Sequence, residues 1–245
     1  MPVTPRELVP ATMPLFDVLK RLIGRPWLCI FDDTGISGIV YRGSFDTLPF
    51  RLSALALLME LEHYVTAYLM RNAEDAVLKL SANRKEKAAT QAADHHENVC
   101  KREGVLNPDQ LKATSIVASS MFADKMHMFL GLDGHAALGF TSKSLARKAF
   151  KFFEQIRNQL AHDRSLLEFL GGSLELLATS IDLLKAITRH VRRMNQADFI
   201  LNEEATGPVQ PDLPVLSAPT EALPGFSPED WAKLVDSLHP RPSQD

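Results

Sequence analysis

With only two cysteines in 245 residues, Cys29 and Cys100, the chain can build neither a disulfide framework nor a cysteine-type zinc site. Long apolar runs are missing too. The most apolar stretch, Leu52 to Leu61, is interrupted by Glu60 and followed by Glu62, far short of the roughly 20 residues that span a bilayer. The first residues carry prolines and Glu7 where a secretory leader needs a basic start and an apolar run. A protein of a reducing, cytoplasmic compartment, without membrane contact, is expected. Neither sign of charge predominates: 27 Lys and Arg against 30 Asp and Glu give a net charge of −3. That excludes coating nucleic acid by bulk charge and leaves room for a local basic site. There is no P-loop, no Gly-x-Gly-x-x-Gly and no serine nucleophile elbow.

Glycine is scarce, at 12 residues, and clusters in 24–43 and 131–139. Tight turns therefore belong to the front and long helices to the rest. Residues 1–48 read as a small α/β piece. Thr4-Pro5-Arg6-Glu7 has capping-box spacing, and Leu15, Phe16, Val18, Leu19, Leu22 and Ile23 follow with helical period before Gly24. Trp27–Phe31 and Ile36–Tyr41 flank an Asp-Asp-Thr-Gly turn, the pattern of a hairpin.

From Arg51 the period becomes 3.6, predicting a helix to about Leu80. Residues 81–103 are charged and apolar-poor, an exposed helix or connection. Asn107-Pro108-Asp109-Gln110 starts a helix carrying Leu111, Ile116, Met121, Met126, Met128 and Phe129, with the methionines as core filler. Thr141 or Ser142 caps the next helix, which runs to His162. Gly171-Gly172 separates it from a last helix over about 173–195. The expected fold class is mainly α: residues 49–202 as a four-helix up-down bundle, after the α/β segment 1–48. A Pro-rich linker (203–226, with Pro208, Pro211, Pro214, Pro219 and Pro224) follows. The chain then ends in a short amphipathic helix and tail (227–245), capped by Ser227 and carrying Trp231, Leu234, Val235 and Leu238. That helix suits a docking peptide and packing back on the same chain equally well.

One segment carries chemistry: Phe150-Lys-Phe-Phe-Glu-Gln-Ile-Arg157-Asn158-Gln-Leu-Ala-His162-Asp163-Arg164. On a helix, Ala146, Phe150, Phe153 and Leu160 form an apolar stripe flanked by Ile156, and Arg157 falls within it. A guanidinium there is costly unless it meets an anion or acceptors. Asn158 and His162, four apart, share a neighbouring face, with Arg164 close by. Histidine can take or give a proton near neutral pH, and arginine presents a planar fork to a developing phosphorane charge. The purely structural reading has Arg157 snorkelling and His162 acting as a favourable cation at a helix C-terminus.

The segment resembles the signature of the HEPN family, Arg-polar-x(2–4)-x-His at the end of the third helix of a four-helix bundle. Arg157, Asn158 and His162 match it residue by residue. These are small helical nucleotide- and RNA-binding domains of toxins, defence systems and RNA-guided nucleases. Some members carry Tyr two residues after the His, where this chain has Arg164. The resemblance implies metal-independent endoribonuclease action on single-stranded RNA, in which a 2′-hydroxyl attacks the adjacent phosphate and leaves a cyclic phosphate end. On that reading Arg157, Asn158 and His162 are catalytic, Arg164 contacts RNA, and no metal or cofactor is needed. Two copies of the motif face each other across a homodimer. A toxin–antitoxin, stress or antiviral-defence setting with an operon-encoded partner or antitoxin is also implied. The rival is a non-catalytic helical module that dimerises, binds a nucleotide or partners another protein.

Phe31 to Arg42 resembles the second half of a CBS motif, a ligand-sensing βαββα unit with the pattern Gly-Ile-Val-Thr-x-x-Asp. The residues that hold a ribose there are Tyr41 and Ser44 here, with Asp46 two positions on. Since CBS units work in pairs and one is visible, the segment either pairs across a dimer or serves as a structural cap.

Three further clusters have competing readings. His95-His96-Glu97 and the pair Glu60/His63 read as solvated helix faces rather than metal sites. Arg189, His190, Arg192 and Arg193 read either as a basic helix C-terminus or as phosphate-backbone contacts.

Overall fold

The computed structural model describes residues 4–103, 113–140, 142–162 and 164–204, with 95–103 and 197–204 as backbone alone. The described residues are mainly helical, with a small three-stranded sheet near the N-terminus. They divide into two compact units, one within residues 4–58 and 155–185 and one within 59–154 and 186–204.

The first unit opens differently from the helical start expected at Thr4. Pro5–Glu7 is a single 3-10 turn, and Leu8–Pro10 is strand β1. Glu7 does reach back, accepting from the Thr4 amide at 2.8 Å and its hydroxyl at 3.1 Å. Pro10 and Pro14 then deny the helix its backbone donors, so the chain extends instead. β1 pairs in parallel with β2 (Trp27–Asp32), Leu8 opposite Cys29, and buries Val9 completely. β2 pairs antiparallel with β3 (Gly35–Tyr41), giving the order β1-β2-β3 and the expected hairpin. Asp32 tightens its turn by accepting from the Thr34 amide at 2.8 Å and hydroxyl at 2.6 Å. These bonds hold its carboxyl below the usual value. Gly35, at φ +121°, makes a corner that side chains rarely adopt.

Helix α1 (Leu15–Leu22) turns Val18, Leu19 and Leu22 inward. Phe50 on α2 (Leu48–Arg71) meets the Phe16 and Phe45 rings edge to face, with centroids 5.7 and 5.0 Å away. Lys20 pairs with Asp182 at 2.7 Å.

The second unit is helical throughout its described residues. Leu61, Val65 and Leu69 of α2 are buried, and α3 (Ala73–Leu78) follows. Residues 82–103 form helix α4, charged at its start as expected, with Ala88 and Ala92 buried where small residues allow close approach. The single helix expected after Asn107 is instead two. Residues 104–112 lie outside the described residues, α5 is Ala113–Ser119 and α6 is Phe122–Gly131. The break has a local cause. The Ser120 hydroxyl donates to the Ile116 carbonyl at 2.7 Å, and Met121 adopts extended backbone as the cap of α6. Met121 is therefore 54% exposed, a correction to its expected core role, while Met126 and Met128 are buried as expected.

After α7 (Gly134–Ala137) comes α8 (Lys143–Ala161), capped by Ser142, whose hydroxyl accepts from the Leu145 amide at 3.2 Å. Phe129 lies edge to face with Tyr68 and with Phe150, which in turn meets Phe153, at centroid distances of 5.4, 6.2 and 6.4 Å. Each such pair adds roughly 0.5–1.5 kcal/mol beyond its buried area. Two ion pairs tie α6 to its neighbours, Lys125–Glu62 at 3.0 Å and Asp124–Arg84 at 2.8 Å.

A four-residue helix, α9 (Leu166–Phe169), precedes Gly171-Gly172 and was not expected. The last helix, α10 (Leu174–Glu204), runs nine residues past the end expected for it. Nothing after Asn195 stops it, because the next Gly and Pro are Gly207 and Pro208. Residues 203 and 204 of the expected linker are thus helical, and its remainder and the 227–245 helix lie outside the described residues.

The split of α5 from α6 gives a sharp contrast. Met128→Ala should lower unfolding free energy by about 2–5 kcal/mol in urea titrations, and Met121→Ala by no more than about 0.5 kcal/mol. Equal losses would contradict the break.

Candidate functional site at the end of helix α8

The C-terminal end of α8 is amphipathic as the sequence predicts. Ile156 and Leu160 are buried, Arg157 is half-buried beside them, and Asn158 is exposed. His162, the first residue past the helix, is exposed and gives its amide to the Asn158 carbonyl at 3.1 Å. Arg164 is exposed and gives its amide to the Gln159 carbonyl at 3.1 Å. Arg157, Asn158, His162 and Arg164 therefore gather on the last helical turn and the corner that follows. Asp163 lies outside the described residues.

Two residues to which the sequence reading gave no role at this helix end fix the corner. A helix ends with carbonyls that have no partner within it. Arg51, 8% exposed on the first turn of α2, donates to the Leu160 carbonyl at 2.9 Å and to that of Gln159 at 3.4 Å. Its charge also meets the negative end of the α8 dipole. Five residues earlier, Asp46 does the reverse at the start of α9. Its carboxylate accepts from the amides of Leu166 at 2.9 Å and Leu167 at 3.2 Å, and from the Ser165 hydroxyl at 2.6 Å. The Ser165 oxygen accepts in turn from the Glu168 amide at 3.0 Å. Residues 159–167 are thus held by a cation at one end and an anion at the other, with His162 between.

This bears on the structural reading of His162. The carbonyls it would cap already receive Arg51 and the Arg164 amide. Among the described residues the His162 side chain has neither a hydrogen bond nor an ion pair. An exposed imidazole on a rigid corner can exchange protons with a bound molecule.

No family model, curated protein or solved structure matches the chain.

The other candidates fall elsewhere. Because α10 continues to Glu204, Arg189, His190, Arg192 and Arg193 are not at a helix C-terminus, so the expected dipole role is corrected. His190 is buried and bonds the Ala137 backbone, and burial holds its imidazole below the ordinary value. Arg192 lies over the Tyr64 ring at 5.9 Å. Glu60 and His63 are exposed, as expected. The side chains of His95, His96 and Glu97 lie outside the described residues, and no metal-binding group of His, Cys, Asp or Glu occurs among those described. In the CBS-like segment, Ser44 accepts from the Tyr41 amide at 3.2 Å and Asp46 is engaged with α9. Both are occupied by the chain's own backbone.

Removing the clamp should cost stability locally and measurably. Arg51→Met strands carbonyls at the end of α8, and Asp46→Ala strands the first amides of α9. Each should lower unfolding free energy by about 1–3 kcal/mol. In hydrogen exchange, the amides of 162–168 should lose protection first. Unchanged exchange there in both variants would contradict the clamp.

Proposed function

We propose that the protein is a HEPN-type endoribonuclease that cleaves single-stranded RNA without a metal, with its helical region as a HEPN-like four-helix bundle. The observation that carries this reading is the joint placement of Arg157, Asn158 and His162 at a pinned helix end, with His162 accessible and already relieved of a capping duty. His162 takes the proton from the attacking 2′-hydroxyl or returns one to the leaving 5′-oxygen. Arg157 presents its fork to the phosphorane oxygens. Asn158 adds a neutral donor on the same face, and Arg164 contacts the RNA backbone. A second copy supplies the facing motif in a homodimer, and the setting is cytoplasmic toxin, stress or antiviral defence, where a partner protein or antitoxin holds the activity in check. The CBS-like front acts as a structural cap, since Ser44 and Asp46 serve the chain itself.

A second reading has one observation in its favour. Leu48 and Leu52, one turn apart on α2, are 66% and 55% exposed, an arrangement suited to a non-catalytic dimerisation or partner-binding module.

Labelled single-stranded RNA separates the two. Cleavage should persist in EDTA and fall about 10²–10⁴-fold in His162→Ala, with the fold intact because the side chain is exposed. Arg157→Lys, which keeps the charge and loses the fork, should also be severely impaired. Cleavage abolished by chelation and restored by a metal would sink the mechanism. A parent protein that never cuts RNA, while still dimerising, would establish the second reading.

A further inference from the structure

The chain's net negative charge conceals a concentration of the opposite sign. Between 143 and 151, α8 carries Lys143, Arg147, Lys148 and Lys151 and no acidic residue. Its first turn has no acid either. Cations in that half of a helix oppose its dipole, so the arrangement is not one that helix stability selects. Among the described residues none of the four has an ion-pair partner. Arg147, Lys148 and Lys151 are exposed and Lys143 is half-exposed. Positions 143, 147 and 151 recur every four residues, so they line one face at roughly 100° per residue, on which the acidic Glu154 follows three residues after Lys151.

Neighbouring helices add to the same field. Arg84 of α4 is bonded to Asp124 of α6 at 2.8 Å, three residues from His127. His127 is held below its ordinary value first by burial, then by Arg84, Arg147 and Lys143, with Asp124 acting in the opposite sense. Arg84 of α4, itself paired with Asp124, and Arg147 and Lys143 of α8 thus all act on His127 in the second unit.

We infer that this basic face of α8, Lys143, Arg147 and Lys151, binds the phosphate backbone of single-stranded RNA. The choice of RNA rests on the ribonuclease reading above. The surface itself argues against an anionic membrane. A helix lying on a bilayer inserts an apolar face, whereas the apolar face of α8 is buried and none of its large apolar residues is exposed. Phosphate contacts of this kind fix register and supply affinity without reading sequence.

The triple variant Lys143→Gln/Arg147→Gln/Lys151→Gln tests this. It removes side chains at the surface and should leave thermal stability unchanged or slightly raised. The probe is a fluorescein-labelled 2′-O-methyl oligoribonucleotide, which lacks the attacking hydroxyl and so survives binding. Anisotropy is read across a salt titration. Each lost phosphate contact on a single strand reduces the salt slope by about 0.7, so the variant's slope should be shallower by about 2, with at least ~10-fold weaker binding at low salt. If the parent binds and the variant matches it in slope and affinity, this surface assignment is wrong and the ribonuclease reading stands. If the parent binds no RNA, or binds phosphatidylserine vesicles instead, both fall.

Discussion

A guanidinium laid on the last carbonyls of a helix holds the rest of this site in place. Arg51 is nearly buried, and a buried charge is tolerable only where its donors are satisfied. The end of α8 supplies what it needs, and Arg51 supplies what the end of α8 lacks. Asp46, one turn of chain away, repeats the exchange with opposite sign at α9. These contacts together fix where α8 stops and where His162 and Arg164 lie. They also release His162 from the structural duty that its position would otherwise suggest. A proton-transferring group gains from a backbone held in place beneath it.

What could be read from the sequence follows from how local each signal is. The hairpin declared itself through Asp32-Asp33-Thr34-Gly35, and the start of α8 through Ser142, because turns and caps are written in adjacent residues. The wheel of α8 placed Ala146, Phe150, Phe153 and Leu160 in the core and Asn158 and His162 outside it, as found. β1 escaped because three residues, one of them proline, carry no period; its partner β2 lies some twenty residues on. The break at Ser119-Ser120-Met121 escaped because apolar spacing alone ran through it. α10 was cut short by its basic cluster, which looked like a helix end and was not. The helix-end roles of Arg51 and Asp46 escaped most completely. Their partners lie 109 and 120 residues away, and nothing near either residue announces them. An arginine on the first, apolar turn of α2 was the one available hint.

Charge is distributed to the same end. A nearly neutral chain avoids binding polyanions indiscriminately, while its cations can still gather locally. Two acids of the second unit are engaged in internal pairs, Glu62 with Lys125 and Asp124 with Arg84. One helix thus carries a solvated basic half and, at its other end, the Arg157–His162 corner.

The chemistry of the cut ends tests the central claim most directly. Attack by a 2′-hydroxyl must leave a 2′,3′-cyclic phosphate on one fragment and a free 5′-hydroxyl on the other. A substrate carrying a single 2′-deoxynucleotide at the cleaved position must then be refractory there. Mass spectrometry of the fragments should find those two ends and no cut at the deoxy position. Fragments ending in a 3′-hydroxyl and a 5′-phosphate, or cleavage that proceeds past the deoxy substitution, would contradict the roles given to Arg157 and His162.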